Sequence, residues 1–200
     1  MGSQYYEELI GLRVGFAMTG SFCTIREVLL TLEDLTESGA NVFPILSEST
    51  GQWDTRFIGE EELKCRLTAI TGNAPICTVQ DAEPIGPKGL LDVVAVVPCT
   101  GNTLAKLAHS ITDSPVLMAV KSHLRNNRPV VLGISTNDGL MGSAMNLGKL
   151  MATKNYYFVP FGQDDPVKKP FSLVADFKKL NETIKEAAYG RQLQPILLRE

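Results

Sequence analysis

Leu12-Arg13-Val14-Gly15-Phe16-Ala17-Met18, followed at once by Thr19-Gly20-Ser21, decides how this chain is built. The apolar run is the right length for a first strand, and Thr19-Gly20-Ser21 reads as a tight turn with Ser21 placed to cap a helix. In that helix Ile25, Leu29, Leu32 and Leu35 fall at helical spacing, and Gly39 is the expected stop. A strand, a Gly-Ser turn and an amphipathic helix make the opening half of a βαβ unit.

The same alternation continues outward. Strands are expected at 41–46, 76–79, 91–97, 130–134 and 156–159. Helices are expected at 59–70, 103–111, 114–125 and 141–153. The run from Leu91 to Val97 is almost unbroken in its apolar character, as a central strand covered on both faces should be. Between Phe171 and Tyr189, Leu173, Val174, Phe177, Leu180 and Ile184 recur at helical spacing and predict a last amphipathic helix. Strands alternating with helices pair in parallel through right-handed crossovers. The expected fold class is α/β: a three-layer, doubly wound (Rossmann-like or flavodoxin-like) open parallel sheet of about six strands, one domain over residues 1–200.

Composition narrows the function. Two hundred residues with 44% hydrophobic content can bury a core without staples. Nineteen basic against twenty-two acidic residues leave a formal charge of −3 and no basic stripe, which argues against nucleic-acid binding. Cys23, Cys65, Cys77 and Cys99 form no Cys-x-x-Cys pair, and His109 and His123 are the only histidines, so no zinc site is expected. Cys99 follows a strand but has no nearby His, and is read as a buried structural thiol. The first eight residues, Met1 to Glu8, are too acidic for a signal peptide, and a cytoplasmic location is the default expectation.

In doubly wound sheets ligands bind beyond the carboxyl ends of the strands, so the turns there carry the functional reading. The Gly15–Ser21 stretch has neither the G-x-G-x-x-G spacing of dinucleotide binders nor the Lys of a P-loop. A Gly-Ser turn opening a helix still offers N–H groups and a hydroxyl to a phosphate monoester. Pro98-Cys99-Thr100-Gly101-Asn102-Thr103 repeats that chemistry after the central strand. Thr100, Asn102 and Thr103 can donate to phosphate or ribityl oxygens, and Gly101 would let a planar ligand approach the backbone. After the fifth strand, Ser135 to Asn146 form a polar loop that feeds a helix. Two unrelated capped helices are the competing reading of the first two turns. Arg56 could hold a substrate carboxylate by paired hydrogen bonds or close its own loop. Trp53 could lie on a planar ligand or anchor the loop. Asp164-Asp165-Pro166 reads first as a turn.

Thr19-Gly20-Ser21, Pro98-Cys99-Thr100-Gly101-Asn102-Thr103 and Ala144-Met145-Asn146 together resemble the three signatures of the flavoprotein family that includes the FMN-binding cysteine decarboxylases. The resemblance implies FMN as cofactor and an oligomeric assembly. It assigns cofactor binding to Gly20, Ser21, Ser47, Thr100, Asn102, Thr103 and Met145, and substrate or flavin contact to Asn146, while Arg56 stays the candidate substrate-binding cation on the chemistry of its own side chain. The decarboxylases carry a catalytic His about fourteen residues before the Pro of the second signature. Counting back from Pro98 reaches the Glu83-Pro84 region, so that decarboxylation chemistry is not expected. Thr55-Arg56-Phe57, Ala82 to Pro87 and Tyr157 to Pro166 are similar to a narrower branch: subunits of two-subunit enzymes that oxidise a dihydrodipicolinate-type precursor to dipicolinate in spore formation. That similarity implies a partner subunit carrying NAD(P), in agreement with the missing dinucleotide fingerprint. A non-catalytic role beside that partner, or a stand-alone FMN-dependent decarboxylase, is the alternative.

Overall fold

The computed structural model describes residues 9–198, so the expectation for the amino-terminal octet lies outside the described residues. The chain forms β1 (Arg13–Met18), α1 (Ile25–Glu37), β2 (Asn41–Leu46), α2 (Glu48–Gly51), α3 (Glu60–Thr71) and α4 (Val79–Ala82). β3 (Val93–Cys99), α5 (Gly101–Ala108), α6 (Pro115–Leu124), β4 (Val130–Thr136) and α7 (Ala144–Met151) follow. β5 (Tyr156–Phe158), β6 (Phe161–Asp165), β7 (Lys169–Ala175) and α8 (Leu180–Ala188) complete it. The sheet has seven strands in the order β2-β1-β3-β4-β7-β6, with β5 also paired to β4. β1 to β5 pair in parallel, which is the doubly wound arrangement expected.

The core explains the pairing. Every residue of β3 is buried, because helices cover both faces of the sheet at its centre. On α1, Ile25, Val28, Leu29, Leu32 and Leu35 form the buried stripe, and each such side chain contributes about 1.5–3 kcal/mol of burial. Gly39 ends the helix at φ +88°, a backbone state that only glycine adopts without strain.

Three expectations are corrected. The segment 76–79 is not a strand: Ile76 makes one isolated bridge to Ile45, and α4 begins at Val79. The segment from Phe171 is not helical throughout. Leu173 and Val174 lie in β7, and the helical turns start only at Phe177. An amphipathic strand running into an amphipathic helix reproduces the helical spacing by coincidence. The sheet is also not wholly parallel, because β7 pairs antiparallel with both β6 and β4.

This last hairpin forks the sheet. Residues 130–132 of β4 pair with β5, whereas Ser135 and Thr136 pair with Val174 and Leu173 of β7. The chain leaves β4 at Val159-Pro160, and the returning strand fills the gap. The hairpin is thereby delivered to the carboxyl end of β4. Each outer strand is covered by the chain itself. Ile76 exchanges backbone bonds with Pro44 and Leu46 of β2. The Gln192 carboxamide accepts from the Phe158 N–H and donates to the Phe158 carbonyl of β5, both at 2.8 Å. Phe161 of β6 bonds the backbone of Ile196 and Leu198, both at 3.0 Å.

Candidate functional site

The turns after β1 and β3 are joined by one hydroxyl. Thr19 Oγ1 donates to the Pro98 carbonyl at 2.7 Å and accepts the Thr100 N–H at 3.2 Å. Thr19 is 4% exposed, so both bonds form where water cannot replace them. Thr100 is the N-cap of α5, its Oγ1 accepting the Thr103 N–H at 3.4 Å and lying 3.0 Å from Thr103 Oγ1. By helix geometry the Gly101 and Asn102 N–H groups have no intrahelical acceptor, and they lie at the positive end of α5.

Three cavities meet at Thr100-Gly101-Asn102. The first, of about 370 Å³, is lined by Gly20, Ser47, Thr100, Asn102 and Thr103, with Trp53 at its wall. Five of the residues expected to bind a cofactor thus come together. Ser47 is held 3.0 Å from both Ser49 Oγ and Thr50 Oγ1. Glu48 and Lys106 are the charged members of the lining, and Lys106 pairs with Asp113 at 2.7 Å. A Cβ on Gly20 would stand 2.8 Å from Ser49 Oγ, so glycine keeps this turn against the β2 loop. Neutral hydroxyls, a carboxamide and a helix amino end form a donor set that suits a phosphate monoester with a polyhydroxyl chain, and FMN is such a molecule.

The second cavity, of about 420 Å³, lies on the other side of the Gly20–Thr100 ridge. Ser21 lines it, its Oγ 2.8 Å from Ser135 Oγ. The expectation that Ser21 caps a helix is corrected: its side chain makes no cap bond, and its N–H turns back to the Thr19 carbonyl at 2.7 Å. Lys169, Asp164 and Ser172 of the β6–β7 hairpin reach the same cavity, Lys169 pairing with Asp164 at 2.5 Å. Sequence reasoning missed this contribution, because β6 is Phe161-Gly162-Gln163-Asp164-Asp165 and β7 opens on Lys169-Pro170, so neither strand shows an apolar run at the turn. Asp165 closes that turn by accepting from the Val167 and Lys168 N–H groups at 3.1 and 2.9 Å.

The third cavity, of about 500 Å³, is where Asn146 stands, with Asn102 and Asp138. Asp138 accepts from Thr136 Oγ1 at 2.5 Å and Ser143 Oγ at 2.9 Å, and these bonds hold its carboxyl below the usual range. Gly101 has a structural reason as well. A Cβ there would lie 2.6–2.8 Å from Thr136 Oγ1, Ser143 Oγ and Asp138 Oδ1, so its missing side chain makes room for the loop after β4.

Met145 and Arg56 line none of these three cavities. Met145 is 86% exposed, and the Arg56 guanidinium lies 4.7 Å from the Phe57 ring centroid on an exposed loop. Cys99 is fully buried and burial pushes its thiol pKa up, which makes it an inert core residue. His109 stays on the surface with Nδ1 2.8 Å from the Ala105 carbonyl. His123 is buried with Nε2 unpartnered, and burial lowers its pKa to about 4. Among the described residues no group of three or more His, Cys, Asp or Glu could hold a metal ion. No helix among them is long and apolar enough to cross a membrane.

The dipicolinate synthase B subunit of Bacillus subtilis (strain 168) is 50% identical over 190 residues, covering 95% of each chain. The crystal structure of the dipicolinate synthase B subunit from Bacillus halodurans C superposes with a TM-score of 0.88 at 47% identity, over 96% of this chain and 98% of that one. The FMN-dependent cysteine decarboxylase SpaF shares the fold alone, at a TM-score of 0.62 and 20% identity over 90% of this chain and 97% of its own. The family model described as Flavoprotein matches residues 2–179, and the chain belongs to the flavoprotein family.

Proposed function

We propose that this chain is the B subunit of a dipicolinate synthase, binding FMN in the first cavity and acting with an A subunit that holds NAD(P). The reaction is the oxidation of a dihydrodipicolinate-type precursor to dipicolinate in the cytoplasm of a sporulating mother cell. The convergence of the β1, β2 and β3 turns on one cavity rich in hydroxyl and carboxamide donors carries the reading. The 50% identity over 95% of the chain supports the choice of substrate.

Aromatisation of a dihydropyridine removes a hydride and a proton, and leaves both carboxylates in place. Bound FMN supplies a two-electron acceptor for such chemistry. The chain's own part is to hold and orient. The Gly101 and Asn102 N–H groups, with the Ser47, Thr100 and Thr103 hydroxyls, take the phosphate and its ribityl chain. Thr19 keeps the two turns in register, and Gly20 keeps the first one close to the β2 loop. Asn146 and Ser21, on the flanking cavities, contact substrate and cofactor from the other side. Met145 and Arg56 complete those contacts from exposed positions, where a second copy of the chain or the A subunit reaches them.

A non-catalytic role beside the A subunit is favoured by one observation: neither histidine lines any of the three cavities. Two measurements separate the readings. The desalted protein should keep a flavin absorption spectrum after incubation with FMN, and Asn102→Ala should lose it. A colourless wild-type protein would remove the FMN assignment. Reconstitution with the A subunit should then raise dipicolinate formation above that of the isolated A subunit. Full activity without this chain would leave only the scaffold role.

A further inference from the structure

A fourth cavity, of about 390 Å³, has a different character from the three described above. It lies between the end of α5, the loop at 109–114, α6 and the start of β5. Leu107, Leu117, Val120, Leu124 and Tyr156 supply its walls, and Ile111, 45% exposed, stands at its rim. Its two charged members are Lys121 and Arg125, four residues apart on α6 and its cap. Neither is paired with a carboxylate among the described residues. Lys64 and Lys106, by contrast, hold Glu60 and Asp113 at 2.9 and 2.7 Å.

An apolar cleft of this size with a few convergent polar groups is the usual form of a small-molecule site. Two unpaired cations over apolar walls select a ligand that is anionic at its edge and apolar in its body. The spacing of the cations refines that class. Residues at i and i+4 of a helix stand about 6 Å apart, so the two heads can engage two carboxylates borne by one small ring. Arg presents a planar fork to one carboxylate, while Lys offers a point charge to the other. Ser110 and Thr112 add hydroxyls at the same rim.

We propose that the cleft between α5 and α6 is a second ligand site, specific for a planar aromatic dicarboxylate held by Lys121 and Arg125 over Leu117, Val120 and Tyr156. The preference for an apolar anion stands on the cleft alone; the choice of a dicarboxylate rests on the reaction proposed above, whose product is of that class. Leu117 lines both this cleft and the first cavity, so a product bound here would press on a wall of the cofactor site. The site would let the product report its own accumulation.

Calorimetric titration of the full, desalted chain with pyridine-2,6-dicarboxylate tests this. Saturable binding is expected, weakened at least tenfold in Lys121→Gln/Arg125→Gln, partly weakened in each single variant, and unchanged in Asn102→Ala. Both cations are on the surface, and an unchanged thermal midpoint would confirm that the double variant folds. Absence of binding, or equal affinity in the double variant, overturns the proposal. Loss in Asn102→Ala alone would move the ligand to the first cavity and also overturn it. Equal binding of the neutral pyridine-2,6-dicarboxamide would overturn the role of the two charges. Dipicolinate formation with the A subunit is measured separately, so failure of this site leaves the proposed reaction standing, and the reverse.

Discussion

The two ends of the β-sheet are held together by different chemistry. At the amino end, Arg13 grips Asp92 with Nη2 at 2.6 Å and Nε at 3.0 Å, its backbone N–H adds a third bond at 3.0 Å, and Arg128 stands 3.6 Å away. Arg13 holds the Asp92 carboxyl below its ordinary pKa. At the carboxyl end of β1 and β3 the links are neutral: Thr19 to Pro98 and Thr100, Ser21 to Ser135, Thr100 to Thr103. Ion pairs fix strands where the only task is to fix them. Hydroxyls can turn their donors toward an incoming ligand, and the charges that line the first cavity, Glu48 and Lys106, take no part in these links. The contrast identifies the working end of the sheet independently of any motif.

The strongest way to break the contrast is to crowd the carboxyl end. Gly101→Val should cost about 3 kcal/mol of stability, the upper range for overpacking, because its Cβ meets three oxygens of the β4 loop. It should also leave the protein colourless after FMN incubation. A variant that melts with the wild type and retains flavin would show that the loop yields freely.

Thr19→Val keeps the shape and removes both bonds of the central hydroxyl. It leaves a buried carbonyl and an N–H unsatisfied, for about 2 kcal/mol in urea unfolding. The loss should grow when FMN is present, since a ligand that binds the intact turns more tightly stabilises the wild type more than the variant. An unchanged midpoint would mean that the two turns are not joined through Thr19.

The amino end is probed by pH. His123 packs beside the backbone of Asp92 and Pro129, and burial, aided by the charge of Arg128, lowers its pKa to about 4. In the unfolded chain it titrates near 6.5. The unfolded state therefore binds the proton first as pH falls. Stability from this group is intact above about pH 6.5 and drains away toward pH 4, by about 2 kcal/mol at pH 5. Urea midpoints at pH 7.5 and 5.0 should diverge in the wild type and converge in His123→Leu. Equal acid sensitivity in the two proteins would count against it.

Much of this was legible in the residues. The uninterrupted apolar run of β3 and the heptad-like stripe of α1 could be read because burial on both faces, or on one, leaves a distinct period. Thr100, Asn102 and Thr103 could be brought toward the first turn because strand ends in this fold converge, whereas Ser47 was reached only through the family resemblance. The hairpin was hidden because Lys168, Lys169 and Pro170 interrupt its strand pattern, and because Leu173 to Ile184 mimic a helix. Ser21 was misread as a cap because its real partner, Ser135, lies 114 residues away. The structural reason for Gly101 was equally out of reach, since it depends on a loop that approaches from β4.

The covered outer strands of the sheet carry a consequence for how copies of this protein can meet. An open strand edge is a template on which another chain can add itself, in register or out of it. Here a loop bridge, a glutamine amide and the final segment occupy parts of the edges of β2, β5 and β6. Each cap belongs to the same chain, so it is in place as soon as the fold closes. Over those stretches a second chain cannot extend the ladder, so a contact there must match side-chain surfaces, and surface matching can be selective where a ladder is not. A protein with such capped edges can be crowded with its own copies and still resist ladder-to-ladder association there.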